Sequence, residues 1–357
     1  MSTTVDRTEL VGPVGELLRE TLARPATSYN TDWDGSLVVL AVQEWQHRHS
    51  IDSRGLPENW FAGHCDVHRG MTDEEFLDSY IGVPAPPLRT GPLLFSAYCG
   101  TWASAIAAAH VEDERRESML SAVADFLLLR AGRSPHGCVY HDAHADFVIP
   151  DAVYFAAPTL ALAGTALARQ ELLDAAAWQL ASYVSAFLDQ RGLSRTMWTP
   201  QGTPPVYWSR ATGWLAGGLA LTLPLLAGHP MAAQLTDAFD TLAHGLQRHQ
   251  RDDGGFHVLL DDPISPVDAT GPAMAAFAIA KGVDDGLLDP ELRQVAGSAW
   301  AATESFLDHG VVTHAYTGWA MNAARRQTGP EMFGDRDFAR GLVLLAGARC
   351  VRPEQPA

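Results

Sequence analysis

The sequence predicts an all-α fold, a toroid of about six helical hairpins, and three observations lead there. Helical apolar periodicity recurs along most of the 357 residues, whereas strand-like alternation is scarce. The helical segments fall into consecutive pairs separated by loops rich in glycine and proline. Several segments are apolar on all sides, which an isolated hairpin cannot bury but the inner helix of a closed ring can. An open α-solenoid is the rival, and no fixed-period repeat supports it. The expected organisation is one (α/α)6-barrel domain over 1–357, with 1–25 a peripheral amino-terminal helix and 349–357 a disordered tail.

The elements follow in order. A first helix is expected near residues 14–23, and a second over 35–49, with Leu37, Leu40, Ala41, Val42 and Trp45 as its apolar set. Residues 72–81 open with the capping box Thr72-Asp73-Glu74-Glu75. Helices are then expected over 91–110, 112–131, 151–168, 171–190, 207–227, 231–251 and 270–282, the last ending near Lys281. In the segment 290–307, Asp289 stands at the cap position and Pro290 at the first helical position. Segments 318–326 and 335–348 complete the series. Loops 191–205 and 252–272 are long and polar, as functional loops at one mouth of a toroid would be.

Composition narrows the function. With 47% hydrophobic residues the chain has ample core material. A formal charge of −17 repels nucleic acid and anionic membranes, so an anionic substrate needs a local cationic pocket. Lys281 is the only lysine, which leaves arginine as the cation for carboxylates. No Walker A or GxGxxG signature precedes a plausible strand. Cys65, Cys99, Cys138 and Cys350 lack zinc or disulfide spacing and read as free thiols. His141, Asp142, His144 and Asp146 match no metal-ligand pattern. Neither a metal nor an organic cofactor is expected. The first seven residues lack a secretory pattern, and the apolar run 214–228 contains Pro224, so a cytoplasmic location with no membrane span is expected.

The chemistry-bearing stretch is Tyr207-Trp208-Ser209-Arg210-Ala211-Thr212-Gly213-Trp214, an arginine flanked by aromatics at the head of an apolar helix. Asp151 opens another. Two aromatic platforms, a permanent cation and a carboxyl group among apolar neighbours suit an anionic sugar. Trp214 follows Arg210 by one turn, on the same helix face. Asp151 has a second reading as the N-cap of its helix. The two roles conflict, because capping holds a carboxylate ionised.

Several segments carry a resemblance. Gly137-Cys138-Val139-Tyr140-His141, followed by Ile149-Pro150-Asp151-Ala152-Val153-Tyr154, resembles the unsaturated uronyl hydrolases of glycoside hydrolase families 88 and 105, where an aromatic-histidine pair precedes the catalytic aspartate. Trp208-Ser209-Arg210-Ala211-Thr212-Gly213-Trp214 is similar to their W-x-R-x-x-G-W signature. Asp253-Gly254-Gly255-Phe256-His257 and Phe338-Ala339-Arg340-Gly341-Leu342 match in order. There are departures: no histidine follows Gly192-Leu193, no carboxylate stands in 83–89, and Asp268-Ala269-Thr270 replaces E-x-S. Asp34 is a candidate substitute carboxylate.

The resemblance implies an (α/α)6 barrel and Asp-catalysed hydration of the enol-ether double bond of a 4,5-unsaturated uronic acid at the non-reducing end of lyase-generated oligosaccharides. Asp151 would be acid and base, which requires a raised pKa. His141, Trp208, Arg210, Trp214 and His257 would bind the sugar. Unsaturated glucuronyl and galacturonyl rings are not distinguished, nor is the leaving sugar named. A sugar epimerase working through His257 and His314, or a non-catalytic glycan-binding toroid, stays as the alternative on the same fold.

Overall fold

The computed structural model describes residues 12–30, 33–67, 105–141 and 146–351, apart from the side chains of 64–67. The expected segment 72–81, most of 91–110, the loop 83–89, Cys99, Asp142, His144 and residues 352–357 lie outside this description. Helices are α1 (Pro13–Ala23), α2 (Trp33–His49), α3 (Leu56–Val67), α4 (Arg116–Leu129), α5 (Asp151–Ala166) and α6 (Gln170–Phe187). They continue as α7 (Ser209–Thr222), α8 (Ala232–His249), α9 (Thr270–Asp284), α10 (Arg293–Glu304), the short α11 (Ala320–Ala324) and α12 (Asp337–Cys350). Two small antiparallel hairpins interrupt them, β1 (Phe256–His257) with β2 (Val267–Asp268), and β3 (Leu307–Asp308) with β4 (Val311–Val312).

The architecture is the (α/α)6 toroid. Helices α5, α7, α9, α12 and α2 stand side by side as an inner ring, and α4, α6, α8, α10 and α1 pack outside them. Burial follows that division. All but one of the fourteen residues of α7 and most of α5, α9 and α12 are buried, so these helices have no polar face. By contrast, outer α8 buries only the stripe Leu235, Phe239, Leu242, Ala243, Gly245 and Leu246.

Close approach in the inner ring depends on missing side chains. A Cβ on Gly217 would stand 2.6 Å from Cε2 of Tyr154, and one on Gly341 would stand 2.7 Å from the carbonyl carbon of Leu37. The ring is sealed between α2 and α12, where Trp45 Nε1–H donates to the Leu344 carbonyl at 2.8 Å. Helix α1 also belongs to the main core through Val14, Leu17, Leu18 and Leu22. Its Thr21 hydroxyl accepts from the buried Arg340 at 3.3 Å.

The expected helix at 14–23 therefore forms, on the outside of the ring with its apolar face packed into the main core. The last helix continues two residues into the segment expected to be tail, and Arg349 pairs with Glu44 at 2.7 Å. Helix α3 was not anticipated from sequence, and residues 223–226 and 290–292 tighten into 3-10 turns. Asp289 caps as expected, accepting from the Glu291 amide at 2.8 Å. Lys281 lies in the last turn of α9, paired to Asp285 at 2.7 Å. Cys138 is a buried free thiol, pushed up to about 12 by burial. Cys350 is also a free thiol, but half-buried.

Candidate active site

The inner helices run in one direction, so their amino termini collect at one mouth, bringing Trp33, Asp151, Ser209, Thr270 and Asp337 to the same end. Helix amino termini favour negative charge. The loops entering these helices are knitted together. Val148 pairs with Trp198, Trp208 with Leu259, and Tyr316 with Phe333. Their apolar side chains form a second core from Ile149, Met197, Val206, Trp208, Val258 and Tyr316, separate from the helical one. The mouth is thereby a built platform.

Asp151 is the first residue of α5. Its carboxyl does not cap the helix: the amides of Ala152 and Val153 are taken by the Ile149 and Pro150 carbonyls, at 3.3 and 3.2 Å. Oδ1 is shut off from solvent and has no hydrogen-bond partner within 3.5 Å among the described residues. Burial raises the carboxyl pKa above the usual carboxylate range. The Arg210 charge, the backbone amide of Asp151 itself, His141 and the indole of Trp214 act the other way and are outweighed. The structure thus brings Asp151, Arg210, Trp214 and His141 together. His141 is buried and packs on Phe147 at 4.8 Å between ring centroids.

The surroundings of Arg210 differ from the expected substrate clamp. Its Nη1–H donates to the Tyr316 carbonyl and its Nη2–H to the Gly318 carbonyl at 2.6 Å. The guanidinium lies 4.1 Å from the Trp208 ring centroid and 4.8 Å from that of Phe338. It is a buried cation spent on tying down the loop ahead of α11. Asp268 is its buried counter-charge. That carboxylate is fully satisfied by the Tyr316 amide at 2.8 Å, the Thr270 amide and hydroxyl, and the Gly271 amide.

Three more expectations are corrected by burial or pairing. Trp214 is wholly enclosed by Trp33, Tyr154 and Phe155, so its ring has no face for a sugar, while its N–H side reaches Asp151. Trp208 is equally buried, in the mouth's own core beneath Arg210. His257 has both ring nitrogens committed, Nδ1 with the Ser265 carbonyl and Nε2 with Arg251 at 3.0 Å, and serves its hairpin. Asp261 and Asp262 pair with Arg326. Asp34 stands in the first turn of α2, where its Oδ1 accepts from the Gly35 amide at 3.0 Å.

The half-buried aromatics at this end are ones the sequence reasoning passed over. Trp33 packs on Phe338 at 5.0 Å and edge-on to Trp214 at 6.3 Å. Trp319 lies 5.9 Å from Phe147. The signal for Trp33 was present in Trp33-Asp34-Gly35, an aromatic at the head of a helix. Where the resemblance implies a histidine after Gly192-Leu193, the buried Ser194 donates its amide to the Thr212 hydroxyl at 3.2 Å. Among the described residues no group of three or more His, Cys, Asp or Glu is arranged to hold a metal ion. Among them too, no helix is long and apolar enough to cross a membrane.

Residues 98–352 match the family model described as Glycosyl Hydrolase Family 88. The chain belongs to that family. Among curated relatives it is 27% identical over 149 residues to an unsaturated 3S-rhamnoglycuronyl hydrolase of Alteromonas sp., covering 40% of this chain and 35% of that one. It is 26% identical over 170 residues to an unsaturated rhamnogalacturonyl hydrolase of Bacillus subtilis, covering 44% and 49%. The matched region therefore spans less than half of each relative. Among solved structures, a possible member of the GH105 family from Salmonella enterica superposes with a TM-score of 0.76 at 18% identity. That superposition covers 98% of this chain and 95% of the other. At that identity the likeness speaks for the fold.

Proposed function

We propose that this family 88 chain hydrates the 4,5-double bond of an unsaturated uronic acid at the non-reducing end of small anionic oligosaccharides. The observation that carries the reading is a carboxyl group that burial holds toward its neutral form, at the mouth where the inner helices begin. Neutral Asp151 gives its proton to C4 of the enol ether. Positive charge develops at C5 and the ring oxygen, water adds to C5, and the Asp151 carboxylate takes the proton that water gives up. The resulting hemiketal opens and releases the leaving sugar.

The other groups act around that step. Arg210 is close enough to Asp151 to stabilise the carboxylate that appears once the proton has left, without itself touching the sugar. The Trp214 indole N–H acts in the same sense. His141 lies beside the acid and orients it. The substrate carboxylate rests near the converging helix amino termini, and the half-buried rings of Trp33 and Trp319 carry the sugar rings. An epimerase would need two histidines facing one carbon, and the ring nitrogens of His257 are already engaged.

The test is incubation with unsaturated disaccharides made by glycosaminoglycan and pectin lyases, following the ultraviolet absorbance of the conjugated ring. Loss of absorbance with one of them, absent in Asp151→Asn, is the expected result. Absorbance preserved with every disaccharide, or full turnover by the Asn variant, would overturn the assignment.

A further inference from the structure

The loop that carries the chain from α6 into α7 holds a groove of about 780 Å3, whose walls include Leu188, Asp189, Arg191, Arg195, Thr203 and Tyr207. The same loop builds the edge of the mouth. The Tyr207 carbonyl accepts from the Leu260 amide at 2.8 Å, and the next residue, Trp208, lies beneath Arg210. Arg195 stands between two residues that tie the loop to the entry of α7. The Ser194 amide donates to the Thr212 hydroxyl at 3.2 Å, and the Thr196 hydroxyl accepts from the Trp208 amide at 3.1 Å. Ser194 and Thr196 are buried, and side chains alternate along an extended stretch, so Arg195 between them faces the groove.

The groove holds more positive charge than its own carboxylate answers. Among the described residues Asp189 is the one acid in its walls, and Arg191 takes it at 2.9 Å. Its other oxygen accepts from the amides of Arg191 and Leu193. The Arg191 guanidinium also lies 4.0 Å from the Tyr207 ring centroid, which fixes its place. Arg248 braces the loop from α8, donating to the Arg191 carbonyl at 2.7 Å, and adds a further cation with no ion pair among the described residues. Arg195 is the half-buried member left over. Its Nη1–H donates to the Thr203 carbonyl at 3.1 Å, and it has no carboxylate partner among the described residues. Most of its N–H donors are therefore unmatched, in a chain whose formal charge is −17.

We propose that Arg195, with Arg191 beside it, binds a second uronate carboxylate on the leaving part of the substrate, so that this groove selects oligosaccharides longer than the disaccharide. The proposal rests on the reading of the mouth as a site for unsaturated uronides. A polymer cut by such lyases carries a uronate in each repeat, and its longer fragments bring further carboxylates behind the unsaturated ring. A guanidinium held at one end by a backbone carbonyl offers the rest of its fork to a carboxylate, which it matches through parallel N–H···O bonds. A neutral chain would leave Arg195 unanswered.

The experiment is titration calorimetry on the full chain at pH 7 with saturated tetragalacturonate, which has no double bond to hydrate, and its full methyl ester as the neutral comparison. Saturable binding of the acid is expected, with the ester at least about tenfold weaker. Arg195→Gln should weaken the acid about tenfold, the scale of one charge-assisted hydrogen bond, and Arg195→Lys, which keeps the charge but loses the fork, should fall between. In the absorbance assay, the tetrasaccharide of a lyase digest should have a KM about tenfold below that of the disaccharide, and Arg195→Gln should erase that preference. No binding of the acid, equal binding of the ester, affinity unmoved by Arg195→Gln, or equal KM for the two lengths overturns the proposal. If no unsaturated product is turned over at all, the reaction assigned to Asp151 fails, while the calorimetric comparison still decides the groove.

Discussion

Replacing Arg210 by methionine tests the mouth at its most connected point. The guanidinium makes two buried hydrogen bonds to the carbonyls of Tyr316 and Gly318. Each charge-assisted bond is worth about 1.5–3 kcal/mol, and disrupting a buried charged network costs about 3–5 kcal/mol, so a loss in that range is expected by urea unfolding. Methionine keeps part of the packing on Trp208 and Phe338, and Asp268 retains its own four donors. The second effect is electrostatic. Arg210 lowers the Asp151 pKa, so its removal lets burial raise that pKa further. An acid catalyst works while protonated, so activity falls as pH rises through its pKa, and the descending limb of the pH–rate profile should move to higher pH in Arg210→Met. Arg210→Lys keeps a charge but cannot span both carbonyls, so it should lose stability with a smaller change in the profile. A stability loss under about 1 kcal/mol, or a limb displaced to lower pH, would refute the reasoning.

Further outcomes follow from the same geometry. Asp151→Asn should abolish turnover in the absorbance assay. Because burial raises the native carboxyl pKa above its unfolded value near 3.9, the native state holds the proton longer, and Asp151 costs stability progressively as pH rises through that window. The Asn variant should therefore melt at least as high as the parent at pH 7 by calorimetry. Gly217→Ala places a Cβ against Tyr154 and should cost about 1–3 kcal/mol, read by thermal melting. His257→Ala should leave kcat within about threefold of the parent, since its ring serves the hairpin, with only an H-bond-sized loss of stability of about 1 kcal/mol. Trp33→Ala should raise KM about tenfold with little change in kcat, the scale of one lost aromatic platform of about 1.5 kcal/mol.

The ring was legible from sequence because burial on all sides leaves a plain mark: α5, α7, α9 and α12 carry hardly a charged residue between their ends. The pairing of apolar inner helices with amphipathic outer ones then fixes the architecture. Helix α3 was harder to see, since Pro57 and the polar Glu58 and Asn59 at its start read as loop. Both short hairpins were hidden because two-residue strands leave no alternation to detect.

The site was legible in part. Asp151 and His141 could be placed together by their positions around the entry to α5. The fates of Arg210, Trp208, Trp214 and His257 depended on long-range partners that local sequence does not reveal. An arginine between two tryptophans reads alike whether it faces a sugar or the carbonyls of residues more than a hundred positions away. Trp33 was passed over because its value comes from Phe338, at the far end of the chain.

The seam between α2 and α12 also governs how the molecule assembles. Trp45 and Leu344 lie 299 positions apart in sequence, so the loop their contact closes takes in most of the toroid. Hairpins such as α5 with α6 can dock while synthesis continues, but the annulus stays open until α12 emerges from the ribosome. Until then α2 presents Leu37, Val38, Ala41 and Trp45 without their native cover. That interval is when chaperones have most to shield, and lesions near Gly341 or Leu344 should surface as poor yield of folded protein before they surface as weak activity.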